Sequence, residues 1–148
     1  MNDAVLRKVI AYITYENYLL VFSHTQHPEA GIQVPAGTVE PDESPQEAVL
    51  REAREETGLE ELRIRSFLGT REVDRREFGG VGIEERYFFH LEYLGKSPQR
   101  WRHFEMDPSE GPPGPIEFEF FWVRFPEEVP ELIGGQGEMF QKLQMLSD

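Results

Sequence analysis

Residues Gly37 to Leu59, GTVEPDESPQEAVLREAREETGL, constrain this chain more than any other stretch. Ser44 is placed as a helix N-cap, Pro45 as the first helical residue, and Glu47, three residues on, as the reciprocal partner of a capping box. Gly58 stands where a left-handed residue ends a helix at little cost. The spacing predicts a helix over Pro45 to Thr57. At about 100° per residue, Val49, Leu50, Ala53 and Thr57 share one arc, the expected core face. Glu47, Arg51 and Arg54 share a second, expected to face solvent. Glu52, Glu55 and Glu56 occupy a third, with the small Ala48 between them.

Three carboxylates one turn apart repel one another by a few tenths of a kcal/mol per pair. A solvated acidic face is the plain explanation in a chain with 28 acidic residues. The chemical one is ligation of a divalent cation by hard oxygen donors. The wider pattern favours the second. Gly37, five residues, Glu43, seven residues, then Arg51-Glu52-Ala53-x-Glu55-Glu56-x-Gly58-Leu59 resembles the complete signature of the Nudix hydrolase family.

That resemblance implies an α/β (α+β) fold, an α/β/α sandwich with a mixed β-sheet. It implies metal-dependent cleavage of a pyrophosphate bond in a nucleoside diphosphate linked to another moiety. Glu52, Glu55 and Glu56 are then expected to hold Mg²⁺, with Mn²⁺ able to substitute, assisted by the backbone carbonyl of Ala36. Arg51 is counted with the catalytic set as the residue that orients the acids, pairing with Glu47 or Glu55, and Glu43 joins that network. The general base stays open among Glu56, Glu92 and an acid on a loop. The alternative class is a catalytically silent Nudix-fold nucleotide-binding or regulatory module. Losing a helix acid would favour it, and none is lost. A loop-type calcium site is disfavoured, because no acid-rich loop with a central glycine is present.

The 148 residues are expected to form one domain, 1–148, with 39% hydrophobic and 29% charged residues. The absence of cysteine excludes disulfides and thiolate metal sites. A net charge of −13 argues against polymeric nucleic acid as a partner, since phosphate contacts need clustered Lys and Arg. A small anionic nucleotide is still admissible once metal ions bridge it to the acids. No signal-peptide pattern or membrane-length apolar run is seen, so a cytoplasmic monomer or homodimer is expected.

Along the chain, Val5 to Tyr15 and Tyr18 to His24 read as a hairpin, and residues 33–37 as a short strand entering the signature. His24 and His27 lie in a loop with no further ligands at metal spacing. Leu62 to Val73 reads as a strand. Arg75 to Gly82 reads either as a mobile phosphate-contacting loop, with Arg76, or as a plain hairpin turn. In the strand Glu84 to Tyr93, alternation sends Tyr87, Phe89, Leu91 and Tyr93 to the core. It sends Arg86, Phe88, His90 and Glu92 to the other face. That face is polar enough to line a cleft, which makes these four, with Arg76, the substrate candidates, and Glu92 also a candidate ligand. Residues 97–105 are ambiguous, with an edge strand around Trp101 one reading. Asp107 to Pro115 is a proline-rich loop, and Ile116 to Phe125 a central strand covered on both faces, with Glu117 and Glu119 near a site. A short amphipathic helix over Gly137 to Leu146 ends the order.

By resemblance, ADP-ribose subgroups carry a proline about fifteen residues after the signature, where Asp74 stands here. Diadenosine-polyphosphate subgroups show a tyrosine slightly further on, and Arg75 to Phe78 has none. The nucleotide is therefore unassigned.

Overall fold

A computed structural model of the chain describes residues 5–96, 99–106 and 115–147. The proline-rich stretch 107–114, Ser97, Pro98 and the side chains of Phe78, Leu146 and Ser147 lie outside the described residues. The strands are β1 (Val5–Tyr15), β2 (Tyr18–His24), β3 (Ala36–Thr38), β4 (Leu62–Asp74), β5 (Ile83–Tyr93), β6 (Arg100–Glu105) and β7 (Ile116–Arg124). Helix α1 is Pro45–Thr57 and α2 is Phe140–Ser147.

The seven strands form one sheet in the order β4-β5-β1-β2-β7-β6, with β3 paired to β1. It is mixed: β1 runs parallel to β5, and the remaining pairs are antiparallel. Strands rich in apolar residues on both faces need cover on both sides, and each face has its own core. Ala48, Val49 and Ala53 of α1 pack on Val9, Ala11, Phe89 and Leu91. Leu143 and the half-buried Phe140 of α2 pack with Ile10, Tyr12 and Phe88 on the other face. This is the expected sandwich. β7 matches its twice-covered reading, since Phe118 and Phe120 join one core while Phe121 and Val123 pack on the other. It lies next to the sheet edge rather than at the centre, with β6 outside it.

The site depends on one irregularity. β1 and β2 are paired only beside their turn, at Thr14–Leu19 and Tyr15–Tyr18. Farther on, the segment leading into β3 fills the gap between them. The Ala11 N–H donates to Pro35 O, and Phe22 and Gln33 exchange both backbone hydrogen bonds. The two strands splay, and a cavity opens at the wide end.

Candidate active site

α1 has the predicted bounds and both caps. The Glu47 N–H donates to Ser44 Oγ at 3.1 Å, the Ser44 N–H donates to Glu47 Oε1 at 2.9 Å, and Gly58 adopts φ 80°. Glu47 is thus committed to the cap, so Arg51 pairs elsewhere. Its guanidinium donates twice to Glu43, at 2.6 and 2.8 Å, once to Glu52 at 2.7 Å and once to the Thr38 carbonyl at 3.0 Å. Glu55 is reached at 3.4 Å. This fork of donors ties the loop before the helix to the helix acids and holds the Glu43 carboxyl below its ordinary range. Arg51 is accordingly half-buried, and the solvent-face expectation for it is corrected.

Glu52 and Glu56 turn inward and are 5% exposed, against 54% for the Glu55 side chain. The third member of the inner cluster is Glu105, at the end of β6. Ligand oxygens of Glu52, Glu56 and Glu105 lie within 4.8 Å of one another. β6 reaches this point because it docks on the last turn of α1, where helix carbonyls lack intrahelical partners. Trp101 Nε1 donates to Thr57 O at 2.9 Å, and His103 Nε2 lies 2.9 Å from Glu55 O. Gly58 is needed twice over, since a Cβ there would sit 2.9 Å from His103 Nδ1.

Burial sets the electrostatics. It pushes Glu52 up to about 7, with Arg51 opposing the rise. Glu56 is raised well above the ordinary carboxylate range by burial first, then by Glu105 and Glu52, and a backbone hydrogen bond from Ala36 opposes this. Burial also raises Glu105. Glu56 and Glu105 therefore stand side by side in a buried place where two negative charges are unfavourable together. Glu56 Oε1 has no hydrogen-bond partner among the described residues. Buried carboxylates with an orphaned oxygen are costly alone and fit a hard divalent cation.

Gly37 makes room for this cluster. A Cβ there would lie 2.1 Å from Glu52 Cδ and Oε2. Two cavities flank the acids. One, about 360 Å³, is lined by Ala36, Glu56 and Glu105 together with Phe22, Arg75 and Arg86. The other, about 560 Å³, is lined by Thr38, Arg51, Glu52, Glu55, His103 and Glu105.

A family model described as "NUDIX domain" matches residues 5–143. The chain belongs to the NUDIX family. Among curated proteins it is similar to "Putative 8-oxo-dGTP diphosphatase YtkD" of Bacillus subtilis (strain 168), with 40% identity over 74 residues. That match spans 49% of this chain and 44% of the relative, so less than half of the relative's length is represented. Among solved structures, a MutT protein from Methanosarcina mazei Go1 aligns over 100% of this chain and 99% of its own, at 18% identity and TM-score 0.68. A UDP-X diphosphatase aligns over 100% of this chain and 66% of its own, at 16% identity and TM-score 0.67. At such identities these two structures establish a shared Nudix fold.

The Nudix signature thus brings Ala36, Arg51, Glu52 and Glu56 to one place, with Glu55 at the rim of the second cavity. The substrate candidates do not converge in the same way. Arg86 lines the first cavity, donating to Glu84 at 2.6 Å and to Gly134 O at 2.5 Å. Phe88 is fully buried against Tyr12 and is corrected from cleft lining to core. His90 meets Thr14 Oγ1 at 2.7 Å, and Glu92 pairs with Arg63 and Arg65. Both line a separate cavity. The alternation along β5 is sound, but a strand rises about 3.3 Å per residue, so its six residues from Arg86 to Glu92 carry the two ends of that face roughly 20 Å apart. Arg76 is also corrected. It points outward to Asp74, while its neighbour Arg75 lines the first cavity.

Residues 75–82 form a closed turn, with Arg75 N–H donating to Gly82 O and Gly80 N–H to Arg75 O. His24 accepts N–H bonds from Gln26 and His27 within its own loop. Glu117 and Glu119 pair with Arg102 and Arg100 of β6. Glu105 was the residue sequence reasoning missed. Its only signal is an acid at the buried end of an otherwise alternating, exposed strand.

Proposed function

We propose that the chain is a Nudix pyrophosphohydrolase that cleaves a phosphoanhydride in a small nucleotide, dependent on Mg²⁺ with Mn²⁺ able to substitute. The observation that carries this reading is the buried Glu52–Glu56–Glu105 cluster set between two cavities. Glu52, Glu56 and Glu105, with the Ala36 carbonyl, would hold the inner ion, and Glu55 faces the outer cavity where a further ion would bridge to phosphate. When bound, such ions neutralise anhydride oxygens and lower the pKa of water. Arg51 fixes the Glu52 rotamer and links it to Glu43. Glu52 and Glu56 are the buried carboxylates placed beside a water on the proposed ion, and so are the ones positioned to accept its proton. Glu92, tied to two arginines far along β5, is not in reach of that task. The partial relative named for 8-oxo-dGTP makes nucleoside triphosphates the first substrates to try.

The test is incubation of purified protein with Mg²⁺ or Mn²⁺ and a panel of nucleoside triphosphates, nucleotide sugars and ADP-ribose. Metal-dependent release of phosphorylated fragments, abolished by chelator, is expected. Nucleotide binding without turnover across the whole panel would instead establish the silent module. In the active protein, Arg51→Lys is expected to lower metal affinity and kcat together by about tenfold or more, because lysine lacks the planar fork. Calorimetric metal titration beside steady-state kinetics checks this. Unchanged metal affinity with lost turnover would place Arg51 on the substrate.

A further inference from the structure

The cavity that takes His90 and Glu92 lies on the α2 face of the sheet, toward the C-terminal ends of β1 and β5, and measures about 760 Å³. It is separate from the cavity beside Glu56. Tyr12 and Phe88 stand between the two on β1 and β5 and are fully buried. The Tyr12 ring packs on Phe88 and on Phe140 of α2, at centroid distances of 5.9 and 4.9 Å.

The lining carries hydrogen-bonding groups that the fold leaves unused. His90 Nε2 lies 2.7 Å from Thr14 Oγ1, while Nδ1 has no hydrogen bond among the described residues and is not shut away from solvent. Burial, then Arg65, hold the imidazole below its ordinary range, so the ring is neutral near pH 7. A neutral imidazole has one N–H and one bare nitrogen, so Nδ1 serves as donor in one tautomer and acceptor in the other. Ser66, opposite His90 on β4, adds a buried Oγ that is also unpaired among the described residues. At the mouth, the carboxamides of Asn17 and Gln144 make no hydrogen bond among the described residues.

The charges around the cavity offset one another rather than converge. Glu92 is paired with Arg63 at 2.7 Å and with Arg65 at 3.3 Å. Of the remaining lining charges, Glu16 and Glu127 are acidic and Arg124 is basic. A small anion would meet the two acids, a cation would meet the arginine, and among the described residues no metal-ligating trio forms here. A neutral ligand meets neither cost. Phe125 and Pro126 give it one apolar wall, and a pocket with such a wall and a few placed polar groups suits a small molecule. Hydroxyls are the matching groups, because each both donates and accepts, and a planar carboxamide or carboxylate can engage two neighbouring ones.

We infer that this cavity is a second binding site and that its ligand is a free, neutral monosaccharide. The ring hydroxyls meet His90, Asn17 and Gln144, and the C–H face rests on Phe125 and Pro126. The inference stands apart from the hydrolase reading, since the site shares no lining residue with either cavity at the acids.

The test is titration of ¹⁵N-labelled protein with D-glucose, D-galactose, D-mannose and D-ribose, followed by two-dimensional NMR, with inorganic phosphate and glycine as charged comparators. At least one sugar is expected to shift the amide signals of Asn17, His90 and Gln144 saturably at millimolar concentration, with or without Mg²⁺. His90→Phe removes both ring nitrogens, and Gln144→Ala removes one carboxamide at an exposed position of α2. Each is expected to weaken that sugar about fivefold, the loss of one hydrogen bond to an uncharged partner. No saturable shift with any of the four sugars overturns the inference. So do larger shifts with phosphate or glycine at equal concentration, shifts confined to residues of the first cavity such as Gly134 and Gln136, or an affinity that neither variant changes.

Discussion

Glu56→Gln is expected to abolish most turnover while making the metal-free protein more stable. Glu56 is buried, its Oε1 lacks a partner, and Glu52 and Glu105 stand beside it. In the folded chain its proton affinity is raised, so between the unfolded value near 4.5 and the folded value the native state holds a proton that the unfolded state has released. The stability Glu56 contributes is therefore fully present below pH 4.5 and is lost as pH rises through the folded value. Glutamine is neutral throughout, and its amide can donate to the Glu105 carboxylate beside it. In chelator, the Tm advantage of Glu56→Gln over wild type should be near zero at the acid end and grow toward pH 8. Added Mn²⁺ should reverse the order, since it stabilises the protein whose ligands are intact. Turnover is expected to fall about a hundredfold or more, near 3 kcal/mol of barrier. Wild-type turnover, or a metal-free Tm below wild type at pH 8, would remove Glu56 from the metal site.

How much of this site is legible in the sequence follows from the range of each interaction. α1 is local: its cap, its proline and its glycine lie within two residues of the ends they define, so its bounds are readable. The inward turn of Glu52 and Glu56 follows from the same wheel that buries Ala53. Arg51 needed one more piece, because only the committed capping box frees it from Glu47 and only the folded loop brings Glu43 to it. Glu105 is non-local, carried to the cluster by β6 docking on helix carbonyls that no periodicity announces. Phe88 and His90 fail for a third reason. Period-two alternation assigns a face, but it says nothing about position along the face, and α2 covers the middle of that strand. The expected layers survive these errors because both cores draw on strands with apolar residues on each side.

Gly37→Ala should be nearly as damaging as losing Glu52 itself. Its backbone is ordinary strand, outside the positive-φ set, so alanine meets no conformational penalty there. The obstacle is the new methyl, which would overlap the Glu52 carboxyl at 2.1 Å and its Cγ at 2.4 Å. Glu52 is buried and pinned by Arg51 at 2.7 Å, so its displacement breaks that ion pair and withdraws an oxygen from the cluster. We expect metal affinity to fall about tenfold and turnover about a hundredfold, roughly 3 kcal/mol of barrier, with the far-ultraviolet circular dichroism preserved. The double variant Gly37→Ala with Glu52→Ala separates this cause from a general disturbance. If the glycine acts through Glu52, the double variant will turn over no more slowly than Glu52→Ala alone, because the second change removes the side-chain atoms that the new methyl would displace. Additive losses in the double variant would mean that Gly37 serves the site by some route other than the space it leaves for that carboxylate.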